Sequence, residues 1–203
     1  MAKMYMRDMV ITIGLLLFWY VAGASGVSGY MEDDHYSSRD SVTVAGETLL
    51  IEVRHRGSSN DKLVKIKNKN NVLLNDYQIN TETGEYYTLY KGGFPRAELN
   101  QGVLSAIIDT IFTATEQSFY SGGTTPNYVE IVMAVDPSNR QVVEVEYLFL
   151  CYNGNNRLLE ISPEKLVALE STIKQADLVS EMSIWGQPNY VLALKKIFIT
   201  PWH

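Results

Sequence analysis

The chain has 203 residues, 46% hydrophobic and 20% charged, ordinary proportions for one globular domain or two small ones. Its formal net charge of −6 argues against a general affinity for nucleic acid or anionic membrane. Three scattered histidines (His35, His55, His203), one cysteine and no metal, phosphate-loop, dinucleotide or nucleophile-elbow motif leave no catalytic, cofactor or metal residue to assign.

The N-terminus has the order of a secretory signal peptide. Lys3 and Arg7 form a positive region, Met9 to Val21 is apolar, and Ala22-Gly23-Ala24 supplies the small residues of a cleavage site. Residues 1–24 are therefore expected to be removed, and the protein to be exported to the periplasm or envelope of a Gram-negative bacterium. The alternative is an uncleaved anchor. The uncharged run of roughly 16 residues is short against the ~20 that span a bilayer, so no stable span is expected after cleavage. Cys151, alone in an exported chain, forms no internal disulfide and reads as a buried thiol.

Residues 25–41 are polar and read as a flexible leader. Residues 42–203 read as a single α+β domain, with a β-meander over 42–94. Thr48–Arg54 and Lys62–Asn68 alternate as strands, Val72–Leu74 is a short third and Glu85–Tyr90 a fourth. Lys62, Lys65, Lys67 and Lys69 make the second basic, which suits a guarded edge.

Lys91-Gly92-Gly93-Phe94-Pro95 breaks the chain. Arg96 to Phe119 then carries Leu99, Val103, Ala106, Ile107, Ile111 and Ala114 at helical spacing. Tyr128 to Leu150 reads as a hairpin, its reversal at Asp136-Pro137-Ser138-Asn139-Arg140 with Asn139 taking the left-handed conformation. Pairing Val135 with Gln141 sets Ile131 opposite Val145 and Val129 opposite Tyr147. That register also sets Glu130 opposite Glu146, with Glu144 beside them, on a face expected to be wet.

Ser162 is a plausible N-cap with Pro163 at the first position of a second helix. Leu166, Leu169, Ile173 and Ala176 turn inward, and Lys165, Glu170 and Lys174 outward. Tyr190 to Ile199 is the last strand. It is apolar on both faces apart from Lys195 and Lys196, as in a strand covered on both sides.

From Pro95 the predicted order is helix, strand, strand, helix, strand. The hairpin from Val129 to Val145, a strand, an Asp-containing turn and a second valine-rich strand, resembles that of the TonB C-terminal domain family. The chain also resembles small exported proteins of unknown function from Gram-negative envelopes. The predicted elements give an antiparallel sheet with two covering helices, and the family resemblance implies that the αββαβ second half (95–203) is TonB C-terminal-like. It also implies binding by pairing a strand edge with a partner segment, at Tyr190, Leu192, Leu194, Lys196 and Phe198. The leading functional expectation is thus a non-catalytic envelope protein that binds another protein through a sheet edge. Two alternatives stand beside it. One is a small-molecule or lipid binder with a pocket between the meander and the first helix. The other is an exported hydrolase with a site assembled around His55.

Overall fold

The computed structural model describes residues 36–55, 62–88, 93–121, 128–150 and 157–197. The expected signal peptide, Cys151 and Phe198 lie outside the described residues, as does the side chain of His55. The strands are β1 (Tyr36–Val44), β2 (Glu47–His55), β3 (Lys62–Asn68), β4 (Arg96–Leu99), β5 (Tyr128–Val135), β6 (Val142–Leu150), β7 (Val179–Ser183) and β8 (Val191–Ile197). The helices are α1 (Gln101–Ile111), α2 (Ala114–Ser121) and α3 (Pro163–Gln175). The strands form one eight-stranded sheet in the order β1-β2-β3-β6-β5-β8-β4-β7.

The fold is α+β, but the expected all-antiparallel sheet with an αββαβ second half is wrong. β4 runs parallel to β8, so the sheet is mixed. The cause is local. Arg96–Leu99, predicted as the first turn of a helix, is a strand that alternates exposed and buried residues. The helix starts only at Gln101, where Asn100 accepts from the N–H groups of Gly102 (3.0 Å) and Val103 (3.2 Å), as an N-cap does. It also stops early. Thr113 and Glu116 form a reciprocal capping box: the Thr113 N–H donates to Glu116 Oε2 (2.9 Å) and the Glu116 N–H to Thr113 Oγ1 (3.3 Å). A second helix therefore begins at Ala114, and the order after Pro95 is β-α-α-β-β-α-β-β.

The N-terminal region differs as well. Tyr36–Ser41, the end of the expected leader, belongs to β1. The β1–β2 turn has positive φ at both Ala45 (50°) and Gly46 (84°), the requirement of a tight hairpin. The expected third strand is a 3-10 turn at Leu73–Asn75. In place of the fourth strand, Tyr86 forms an isolated bridge with Ile79, and residues 89–92 lie outside the described residues.

The central hairpin keeps the inward face of Val129, Ile131, Met133 and Val135 and of Val145, Tyr147 and Phe149, with a different register; Val142, not Val143, completes that face. Ile131 pairs with Tyr147 and Val129 with Phe149, two residues away from the expected partners. The turn contributes one residue: Val135 pairs with Val142, and Arg140 (φ 63°), not Asn139, is left-handed. A bulge between Ala134 and Val135 contributes the other. An even shift preserves which side chains point inward.

One face of the sheet carries α1 and α3. Ile131, Met133, Val145, Tyr147 and Phe149 pack there with Leu104, Ile107, Leu166, Leu169 and Ile173. The buried Tyr147 hydroxyl donates to the Leu166 carbonyl (3.0 Å), and burial holds its pKa well above the usual phenol value. α3 is pinned at the α1–α2 break by Lys165, which was expected to face outward. Its ammonium donates to the Ile111 carbonyl (2.8 Å) and to Glu116 (2.7 Å). The Lys165 hydrogen bond, with those from Thr113, lowers the Glu116 pKa to about 2. Glu170, also expected outside, is buried and bonded to Lys174.

Candidate functional site

The second sheet face carries the polar residues that invited a functional reading. Glu130, Glu144 and Glu146 are buried, not wet. The true register separates them: Glu130 pairs with Leu148, Val132 with Glu146 and Ala134 with Glu144. Each has its own surroundings. Glu146, fully buried, lies 2.9 Å from the Lys65 ammonium. Glu130 is the register partner of Lys196; burial raises its pKa, and the lysine opposes the shift. Lys65 and Lys67 thus sit on an interior strand and do not guard an edge.

Glu144 acts as a clamp. Its Oε1 accepts from the N–H groups of Val72 (2.7 Å) and Leu73 (2.9 Å), and its Oε2 from that of Leu74 (3.0 Å). Asn71 Nδ2 donates to the Val145 carbonyl (2.7 Å) beside it. These bonds hold Leu73 and Leu74 over Val132, Ala134, Leu148 and Tyr190 in a second, smaller core. Glu144→Ala leaves three N–H groups without their acceptor. It should cost about 3 kcal/mol and lower the thermal midpoint by roughly 10 °C. An unchanged midpoint in calorimetry would show that the turn is fastened by something else.

The segment after this turn forms a platform with the loop between β7 and β8. Ile79 and Asn189 exchange bonds: the Ile79 N–H donates to Asn189 Oδ1 (2.9 Å), and the Asn189 N–H to the Ile79 carbonyl (3.0 Å). The Thr81 N–H donates to the Gln187 carbonyl (2.7 Å), and the Tyr87 hydroxyl to the Trp185 carbonyl (2.7 Å). Gln78, buried beneath, donates to the carbonyls of Tyr190 (2.7 Å) and Pro95 (3.1 Å). Gly186 is required here. Its φ is 68°, and an added Cβ would lie 2.6 Å from Asn80 Nδ2 and 2.8 Å from the Tyr87 hydroxyl. Trp185 and Ile184 stay substantially exposed on this scaffold, and Trp185 stands edge-to-face with Tyr87 at 6.1 Å.

The strand expected to bind a partner is not at an edge. β8 lies between β5, its antiparallel partner along Val191–Ile197, and β4, its parallel partner at Leu192. Tyr190 and Leu192 are buried in the second core, Leu194 packs against it, and Lys196 sits 4.9 Å from the centre of the Tyr128 ring. Leu73 and Leu74 of the meander lie on the opposite sheet face from α1, whereas Leu49, Val53, Val64 and Ile66 pack on the same side as α1.

The edges are β1 and β7. β7 was not visible in the sequence as a strand. It pairs with β4 on one side, and among the described residues no strand pairs with the other. Its first part is closed. Ser180 sits at a bulge and donates through Oγ to the Glu98 carbonyl (3.1 Å), while Arg140 donates to the carbonyls of Ser180 (2.6 Å) and Val179 (3.3 Å). The second part, Glu181–Ser183, is open and leads directly into Ile184 and Trp185. β7 lacks a strong strand signal because it has five residues and only two apolar ones. The turn chemistry of Gly186-Gln187-Pro188 after it is visible in the sequence.

Among the described residues, no group of three or more His, Cys, Asp and Glu side chains could hold a metal ion, and no helix is long and apolar enough to cross a membrane. Fold and site together define an α+β protein with a mixed sheet, one polar face clamped by an irregular segment, and an open edge beside an aromatic loop. No family model matches the chain, and no curated protein matches it. The fold is similar to the crystal structure of a DUF5043 family protein from Bacteroides uniformis ATCC 8492. The two are 19% identical, the match covers 85% of this chain and 92% of that chain, and the TM-score is 0.62. At that identity the likeness concerns the fold alone, and the expected likeness to the TonB C-terminal domain family is not confirmed.

Proposed function

We propose that this is an exported, non-catalytic envelope protein that binds another protein by adding a strand of the partner to β7. The observation that carries the reading is the open stretch Glu181–Ser183, a sheet edge continuous with the exposed Ile184 and Trp185. Strand addition uses main-chain bonds for affinity and neighbouring side-chain contacts for specificity. The edge offers the first, and the platform offers the second. The bulge at Ser180 and the Arg140 contacts shorten the free edge, as in strands protected from self-association. The signal-peptide pattern of residues 1–24 supports the envelope location.

Two proline variants test the edge. Successive N–H groups along a strand point to opposite sides, so Glu181→Pro and Met182→Pro remove one inward and one outward donor between them. The variant losing the ladder bond to β4 should be destabilised. The other should melt like the parent and lose the envelope partner that the tagged parent captures. If the folded variant retains every partner, β7 is not the binding edge.

A further inference from the structure

We infer that the segment received by β7 is an extended, basic peptide stretch of the partner, with its lysine or arginine side chains over Glu98, Glu181 and Trp185. This rests on the strand-addition reading above. Ala97, Leu99 and Val179 belong to the helix-side core, so the alternating Glu98, Glu181 and Ser183 stand on the opposite face, where all three are exposed. Glu98 and Glu181 are register partners across β4 and β7. Carboxylates directly opposite each other repel. Lys65, Lys165 and Lys174 pair with other carboxylates, those of Glu146, Glu116 and Glu170. Arg96, opposite Ser183, is the single basic residue of the two strands.

Arg140 stands at the closed end of β7, and the loops at its open end strengthen the acidic bias. Residues 72–88 and 184–190 contain Asp76, Glu82 and Glu85 and no lysine or arginine. At the open end of β7, Trp185 is 38% exposed and held in place by Tyr87, through its carbonyl and through ring contact at 81°. An indole fixed in this way can take a cation over its face without further ordering. Glu181, with Glu98 across β7 at the same level, and Trp185 further along the chain flank the path an added strand would follow.

Alternating valine–lysine, valine–serine and valine–glutamate peptides, titrated onto the purified mature protein, separate the possibilities. The lysine peptide should bind about tenfold more tightly than the glutamate peptide at low salt, and the difference should shrink as salt rises. Glu98→Gln with Glu181→Gln should abolish the preference while leaving the valine–serine peptide bound. Equal binding of all three peptides to the parent, or none, overturns the inference. If the peptides bind equally and the folded β7 proline variant loses them all, the charge preference is wrong and the strand-addition reading stands. If the proline variant keeps them all, the strand-addition reading itself is wrong.

Discussion

Val145→Asp should unfold the protein. Val145 is fully buried, pairs with Met133 and faces the helix-side core. An aspartate there would be an unpaired carboxylate among aliphatic and aromatic side chains. Either it stays charged at a large desolvation cost, or it takes up a proton and still buries a carboxyl group without a partner. The cost should exceed about 4 kcal/mol, a large share of the 5–15 kcal/mol by which such domains are stable. Loss of near-ultraviolet circular dichroism and of a cooperative melting transition would register it. A soluble variant with parental melting would mean that Val145 does not face the core. The expectation is insensitive to the two-residue change of register, because an even shift returns the same side chain to the same face.

Leu194→Pro should be comparably severe. Leu194 pairs with Val132 in the middle of the β5–β8 ladder, and Val132 is fully buried in the smaller core. A proline there has no N–H to donate, and its ring restricts a backbone hemmed in on both faces. No soluble, cooperatively folded protein should be recovered, in contrast to the tolerated proline at the β7 edge. Recovery of a stable Leu194→Pro protein would place that part of β8 at an open edge after all.

Much of the frame is legible from local pattern. The alternation of Val129, Ile131, Met133 and Val135 identifies the inward face of β5, and Ser162-Pro163-Glu164 locates the start of α3. The capping box at Thr113-Ala114-Thr115-Glu116 is also present in the sequence and predicts the break between α1 and α2. It was obscured by the apolar spacing that runs on across it. β4 and β7 are harder to see. With four and five residues they complete too few alternations to stand out from a neighbouring helix or loop, and only their place in the sheet makes them strands. The sheet edge is hard to see for the same reason: which strand is last in the sheet depends on β4 and β7.

The polar face departs from its sequence pattern for a different physical reason. Glutamate at alternating positions normally marks a solvated surface, and Glu130, Glu144 and Glu146 follow that pattern. Here the partners come from far along the chain. The residues that bond to Glu144 lie 70 to 72 positions before it, in a short apolar run that reads as a strand and folds as a 3-10 turn. No local pattern records such a match.

The junction of β3 and β6 has a consequence for how the protein assembles. Lys67 stands opposite Glu146, a separation of 146 − 67 = 79 residues, whereas β1, β2 and β3 pair in sequence, as do β5 and β6. The N-terminal three strands can form as a local unit. They join the rest only after a long loop is closed, and the entropy of that closure must be met before the contacts that reward it appear. The seam between β3 and β6 is therefore a late step, together with the pairings of β4, whose partners lie further off still at 181 − 98 = 83 and 192 − 96 = 96 residues. Until it closes, β6 and the valine-rich hairpin behind it present an unpaired apolar edge to other chains, and aggregation during refolding should originate there.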